Sequence, residues 1–208
     1  MDADDMGSDL EKVLYTEQQI QDRLQEMAGQ IDADYAGREV LLVGVLKGAV
    51  IGGGLELASA THVRVAERST YYALPEGQHG LFVGGGASVR VPRLIGAARM
   101  TDMMLTGRRY DAAEGERIGL SQYVVDEGAG LETALRLARK AAGNSPITNY
   151  AILQVLPRTA EVAPHDAYLI ESLMAGVASG SDEAKARMRS FLDRGRAGAA
   201  QDAPRERV

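Results

Sequence analysis

The segment Gly48-Ala49-Val50-Ile51-Gly52-Gly53-Gly54-Leu55-Glu56-Leu57-Ala58 constrains this chain more than any other, and Leu74-Pro75-Glu76 answers it twenty residues on. Its order is an apolar strand, a triple glycine and an amphipathic helix with a carboxylate in the first turn. Glycine admits positive φ and lets backbone come close to a ligand, because no Cβ intervenes. The helix opened by these glycines presents unpaired N–H groups and the positive end of its dipole. Such a terminus suits an oxygen that gains negative charge. Glu56 and Glu76 facing one spot would divide acid and base work between them.

Composition narrows the classes. A chain of 208 residues with 45% hydrophobic residues can bury a core. It has no cysteine, so disulfides and thiolate metal sites are excluded. Its three histidines, His62, His79 and His165, have no metal-ligand spacing, and no metal site is expected. No apolar run reaches the roughly 20 residues that span a bilayer, and the acidic start Met1-Asp2-Ala3-Asp4-Asp5-Met6 lacks the order of a secretory signal. The expected location is cytoplasmic, with no membrane partner. Net charge is −6, unevenly spread: residues 1–50 carry eleven acids and four bases, the remainder eighteen and nineteen. That near-neutral body offers no basic footprint for nucleic acid.

Periodicity places the elements. Residues 1–9 read as a solvated leader. Thr16 with Gln19 forms a capping box, Tyr15 and Ile20 are placed for a hydrophobic staple, and Ile20, Leu24, Met27 and Ile31 predict one buried stripe on the helix that follows. Val40 to Leu46 reads as a strand buried on both faces. Strands are expected around Val63–Val65, Thr70–Ala73 and Tyr123–Val125, and helices over Arg99–Leu105, Ala112–Ile118 and Leu131–Ala142. Ile147–Leu156, Asp166–Val177 and Ser181–Leu192 predict a helical C-terminal third. Its last helix has Ser181 as N-cap and Ala184, Met188, Phe191 and Leu192 on one face. The tail from Arg196 is expected to be disordered.

From Lys47 to Ala197 the chain resembles the crotonase superfamily of enoyl-CoA hydratases and isomerases. The matching residues are Gly52 to Ala58, Val63-Arg64-Val65-Ala66, Leu74-Pro75-Glu76 and Gly84-Gly85-Gly86. Pro92-Arg93-Leu94-Ile95-Gly96, Leu105-Thr106-Gly107-Arg108-Arg109, Ile118-Gly119-Leu120 and Ser181-Asp182-Glu183-Ala184 continue the match in order. Val83 departs from the proline common before Gly84, and the loop from Gly77 to Phe82 is atypical. The resemblance implies an α/β fold: a truncated crotonase-like ββα spiral core with a helical C-terminal third. The family's N-terminal ββα turns, with the first oxyanion N–H and much of the CoA cleft, have no counterpart here.

Residues 9–50 resemble instead the start of a hypoxanthine-guanine phosphoribosyltransferase, through Asp9 to Leu14, the helix to Asp34, and Val40 to Ala49 with Leu46-Lys47-Gly48 at the pyrophosphate loop. The chain then reads as a chimera: a phosphoribosyltransferase-like segment over 1–50, a crotonase-like portion over 51–197 and a tail over 198–208. A purine phosphoribosyltransferase activity is a remote alternative, since Val124-Val125-Asp126-Glu127-Gly128-Ala129-Gly130 has its acids misplaced and no hydroxyl residue. The borrowed piece still supplies a helix and a strand leading into the glycine turn, the local order that the crotonase fold has there.

By resemblance, the reaction is syn addition of water to a 2-enoyl-CoA thioester. Glu56 would activate the water, Glu76 would supply the proton to Cα, and the Gly53 N–H would take the thioester oxygen. Gly84 would bring its N–H near the water or acyl group, or else serve only as a flexible loop glycine. No cofactor is implied beyond CoA as part of the substrate. Homo-oligomers, trimers or hexamers, are implied through the helices of 145–195. His79 reads as a loop histidine rather than a proton shuttle. Lys47 reads as a solvated strand-end residue, Met100, Met103 and Met104 as core, and Arg93, Arg108 and Arg109 as surface pairs rather than CoA ligands. Two classes stay open: an enoyl-CoA hydratase or isomerase, and a non-catalytic oligomerising remnant.

Overall fold

The structure is a computed structural model that describes residues 14–201, with side chains described as far as Asp193. The expected leader over residues 1–9 and the end of the tail, 202–208, lie outside the described residues. Two compact units divide between Val40 and Leu41.

The first unit is built around α1 (Glu17–Asp34). Thr16 Oγ1 accepts from the Gln19 N–H at 3.2 Å and Gln19 Oε1 accepts from the Thr16 N–H at 2.8 Å, so the expected capping box forms. The expected buried stripe does not. Ile20, Leu24, Met27 and Ile31 are 45–54% exposed, and no residue of α1 is buried. The spacing correctly predicts an amphipathic helix, but periodicity cannot say whether a packing partner exists, and burial needs one.

The second unit holds two three-stranded sheets. One has the order β1 (Val43–Leu46), β3 (Val63–Glu67), β6 (Tyr123–Val125), all parallel, with Val45 opposite Val65 and Val65 opposite Tyr123. The other has the order β2 (Ala49–Ile51), β4 (Tyr71–Ala73), β5 (Tyr110–Asp111); β2 and β4 are parallel, β4 and β5 antiparallel. Gly48, at φ +61°, turns the chain from the first sheet into the second. The continuous apolar run is thereby cut in two. The expectation that Val40 to Leu46 is buried on both faces fails for a related reason: among the described residues β1 pairs only with β3, and Leu42 and Val45 stay exposed at the sheet edge. Central β3 is the strand buried on both faces, even at Arg64 and Glu67.

Helices close the core. α2 (Gly53–Ser59), α3 (Ala87–Ile95) and α4 (Ala97–Thr106) pack around fully buried Leu55, Leu74, Val91 and Met103. Met100 and Met104 are buried beside them, as the sequence predicts. α5 (Ala112–Ile118) begins with a capping box in which the Glu114 N–H donates to Asp111 Oδ1 at 2.7 Å. α6 (Gly130–Ala142) precedes a helical run over 146–159, made of α7 (Pro146–Tyr150), a π-helical stretch (Ala151–Val155) and α8 (Leu156–Thr159). α9 (Pro164–Gly180) and α10 (Asp182–Gln201) complete the helical C-terminal third. Ser181 Oγ caps α10 by accepting from the Ala184 N–H at 3.1 Å. This helix continues to Gln201, so the expectation of a disordered tail from Arg196 is corrected over 196–201: the small and charged residues there extend a helix already capped and begun.

Glu67 ties the parallel sheet to α6. Its carboxylate accepts from the Gly130 N–H at 3.3 Å and lies 3.5 Å from Lys47 Nζ. The amide of Gly128, that of Gly130 and the Lys47 charge hold it below the usual carboxylate range, against the opposing effect of burial. Lys47, two-thirds exposed, is thus the strand-end lysine that the sequence predicts.

Candidate active site

β2 and β4 run parallel and end side by side, and their continuations bring Gly52 and Glu76 together. The Gly52 N–H donates to the Ala73 carbonyl at 3.0 Å, extending the strand pairing into the turn. Gly52 then takes φ +52° and ψ −122°, which only glycine tolerates well, and α2 begins. A Cβ on Gly52 would stand 2.8 Å from Glu76 Oε1, so the Glu76 carboxylate lies directly against the glycine elbow.

Glu76 opens a 3₁₀ turn (Glu76–His79) anchored on α4: Gln78 Nε2 donates to the Thr106 carbonyl at 3.1 Å, and a Cβ on Gly77 would clash with the Met104 carbonyl. Glu76 Oε2 is buried and has no hydrogen-bond partner among the described residues. A buried, unpartnered carboxylate oxygen is costly in a folded protein and marks a site that expects a ligand.

Glu56 lies in the first turn of α2 and is buried. Its Oε1 accepts from the Gly85 N–H at 2.7 Å and from the Ala87 N–H at 3.2 Å. A Cβ on Gly85 would stand 2.8 Å from Glu56 Oε2, so only glycine lets the amide approach. Arg90 holds this loop from behind. Its Nε donates to Ser59 Oγ at 3.1 Å, and its Nη2 to the carbonyls of Glu56 at 3.0 Å and Gly85 at 2.5 Å.

The start of α2 therefore meets both glutamates: the Glu76 carboxylate lies against Gly52, and Glu56 stands in the first turn of the helix. Gly53, the first residue of α2, is exposed, with nothing within 4 Å of the position a Cβ would take. Its N–H has no intrahelical carbonyl to receive it. Gly84 is likewise exposed in open space; the amides that reach Glu56 belong to Gly85 and Ala87. Those amides and Arg90 escape sequence reading, although an arginine four residues after the third glycine of Gly84-Gly85-Gly86 was the available signal. His79 is an exposed loop residue. Arg93 pairs with Glu161 at 3.2 Å, Arg108 pairs with Asp102 at 3.3 Å, and Arg109 stacks over Tyr71 at 5.3 Å, in keeping with their reading as surface pairs. Asp126 pairs with Arg68 at 2.7 Å and Glu127 accepts from the Ser69 hydroxyl at 2.9 Å, so both acids of the 124–130 loop serve the sheet edge. Among the described residues no cluster of metal-ligating side chains occurs, and no helix is long and apolar enough to cross a membrane.

A crotonase-like α/β fold carrying two carboxylates at a glycine-opened helix defines the class of protein. Comparison with known proteins agrees: the family profile described as Enoyl-CoA hydratase/isomerase matches residues 5–200, and the chain belongs to that family. The match takes in residues 9–50 and gives no support to the phosphoribosyltransferase origin expected for that segment. An enoyl-CoA hydratase of Mycobacterium tuberculosis is 34% identical over 167 residues, which are 79% of this chain and 63% of that protein. The alpha subunit of a fatty acid oxidation complex from Shewanella frigidimarina is 38% identical over 139 residues, 65% of this chain and 20% of the subunit. The chain thus spans under two thirds of the length of these relatives.

Among solved structures, a crystal structure assigned to an enoyl-CoA hydratase from Rhodopseudomonas palustris is 53% identical with a TM-score of 0.73, covering 90% of this chain and 72% of that one. The enoyl-CoA hydratase from Bacillus anthracis is 25% identical with a TM-score of 0.71, covering 87% and 70%.

Proposed function

We propose that this chain hydrates 2-enoyl-CoA thioesters, with Glu56 and Glu76 as the catalytic pair and the Gly53 N–H as an oxyanion donor. The observation that carries the reading is Glu76: a half-buried carboxylate with one buried, unpartnered oxygen, pressed against the elbow that opens α2. Glu56, fixed on one side by the Gly85 and Ala87 amides, orients and activates the water that attacks Cβ. Glu76 delivers the proton to Cα. The thioester oxygen gains negative charge meanwhile, and the dipole and N–H of Gly53 stabilise it; one such donor is worth about 10²–10³ in rate. Double-bond isomerisation would need only Glu76, and the amide-clamped Glu56 favours hydration. Gly84 belongs to the same proposal as an exposed amide at the loop facing Glu56. No cofactor is required, CoA entering with the substrate, and the cytoplasm is the proposed location.

Self-association is the second part of the reading, and it holds for an active enzyme or a non-catalytic remnant. Tyr168, Leu169, Leu173, Val177, Met188, Phe191 and Leu192 on α9 and α10 are 50–67% exposed, which a lone subunit rarely sustains. A trimer or hexamer covers them. Light scattering tests this, and a monomeric mass at micromolar concentration overturns it. Hydration of crotonyl-CoA tests the chemistry: enzyme-proportional turnover that Glu76→Gln abolishes supports it, and a flat trace at every enzyme concentration favours the remnant.

A further inference from the structure

A cavity of about 810 Å³ has neither Glu56 nor Glu76 in its lining, and Arg90 stands between it and the glutamate loop. It begins where the parallel sheet begins, at Val43, Val63 and Tyr123, the first residues of β1, β3 and β6, and at Ser59, the last residue of α2. Gly53, at the other end of α2, opens the glutamate site. The volume falls within the range of about 300–1,000 Å³ usual for small-molecule sites.

The walls are chiefly aliphatic, with Leu94, Leu137, Ile152 and Leu156 among them. Their charge is one-sided: Arg64, Arg90, Arg93 and Lys140 line the cavity, and no aspartate or glutamate among the described residues does. Arg64 is only 2% exposed, yet no carboxylate pairs with it among the described residues. Its Nε and Nη1 donate to the carbonyls of Leu120 and Thr61 at 2.7 Å each, which leaves Nη2 without an acceptor among them. Lys140 is exposed and likewise makes no ion pair there, and Arg93 donates to the Val89 carbonyl at 2.8 Å and pairs with Glu161 at 3.2 Å. His62 Nδ1 accepts from the Leu42 N–H at 3.0 Å, so its ring proton sits on Nε2 as a further donor. Buried cations without anions are rare in folded proteins, because desolvation goes uncompensated.

We propose that this cavity is a second ligand site, separate from the glutamate pair, for a medium-chain fatty carboxylate whose tail lies on the aliphatic wall and whose headgroup meets the cationic side. A carboxylate suits a guanidinium with a free N–H better than a neutral head does, since hydrogen bonds between opposite charges are about twice as strong as neutral ones. The site needs no turnover, so its failure leaves the hydration reading standing, and the converse holds too.

The test titrates the full chain, labelled at isoleucine δ1 methyls, with decanoate below its micelle concentration. Decanol and decyltrimethylammonium serve as neutral and cationic counterparts. Saturable shifts centred on Ile152, with Ile51 and Ile170 unmoved, are expected for decanoate, with decanol at least about tenfold weaker. Lys140→Met with Arg93→Met should weaken decanoate about tenfold, Glu161→Gln should tighten it by freeing Arg93, and Ala141→Phe should block it by filling the cavity. Equal affinity for decanol overturns the proposal, as do shifts centred on Ile170 of α9 or undiminished binding to Ala141→Phe.

Discussion

Replacing Gly85 by alanine tests how Glu56 is held. The new Cβ would stand 2.8 Å from Glu56 Oε2 and 3.0 Å from its Cδ, where ordinary contact begins near 3.4 Å. The carboxylate must retreat by about 0.6 Å. That retreat strains its bonds from the Gly85 and Ala87 amides, now 2.7 and 3.2 Å long. Hydrogen bonds to a charged group are worth about 1.5–3 kcal/mol, and leaving such a group under-satisfied costs about 1–3 kcal/mol. For a chain of this size the melting temperature should fall by about 2–12 °C. Misplacing a catalytic group by up to 1 Å lowers rate by up to about 10²-fold, so kcat for crotonyl-CoA should drop about 10- to 100-fold. Gly84→Ala is the internal control. Neither glycine has positive φ, and the Gly84 Cβ would enter open space, so that variant should melt within about 2 °C of the parent. Scanning calorimetry and initial rates read both. A Gly85→Ala protein as stable and as active as the parent would refute the reasoning, and so would equal damage from Gly84→Ala.

Arg90→Met removes three hydrogen bonds that bind the Gly85 loop to α2, and should destabilise by about 2–4 kcal/mol in urea while lowering kcat more than it changes KM. Met103→Ala, in the fully buried core, should cost about 2–5 kcal/mol by leaving a cavity, measured in the same way. Glu67, held below its unfolded value near 4.3, contributes stability that is fully present well above that pH and is lost as pH falls through the lower folded value. The stability gap between the parent and Glu67→Gln should therefore be constant from pH 7 to 6 and shrink below about pH 4.

The glycine turn was legible because backbone chemistry dictates it: a strand must end, a tight turn must follow, and a helix must begin with free amides, and the structure places Glu56 and Glu76 beside that turn. The same logic located α5, β6 and the Ser181 cap. What escaped the sequence depended on partners distant in the chain. The α1 stripe has the right period yet lies exposed, and β1 is apolar yet sits at a sheet edge, because periodicity reports which face is greasy and not what covers it. The break at Gly48 vanished inside an apolar run that reads as one strand. Arg90 and the Gly85 amide escaped because their role is visible only when the loop folds back on α2, thirty residues earlier.

The initial rate of crotonyl-CoA hydration, compared among the parent chain, Glu56→Gln and Glu76→Gln, addresses the catalytic pair most directly. The account predicts saturable turnover proportional to enzyme, reduced at least about 10²-fold by either change while each variant keeps the parent's circular dichroism spectrum. Turnover that survives both substitutions, or none above buffer in the folded parent, would contradict it.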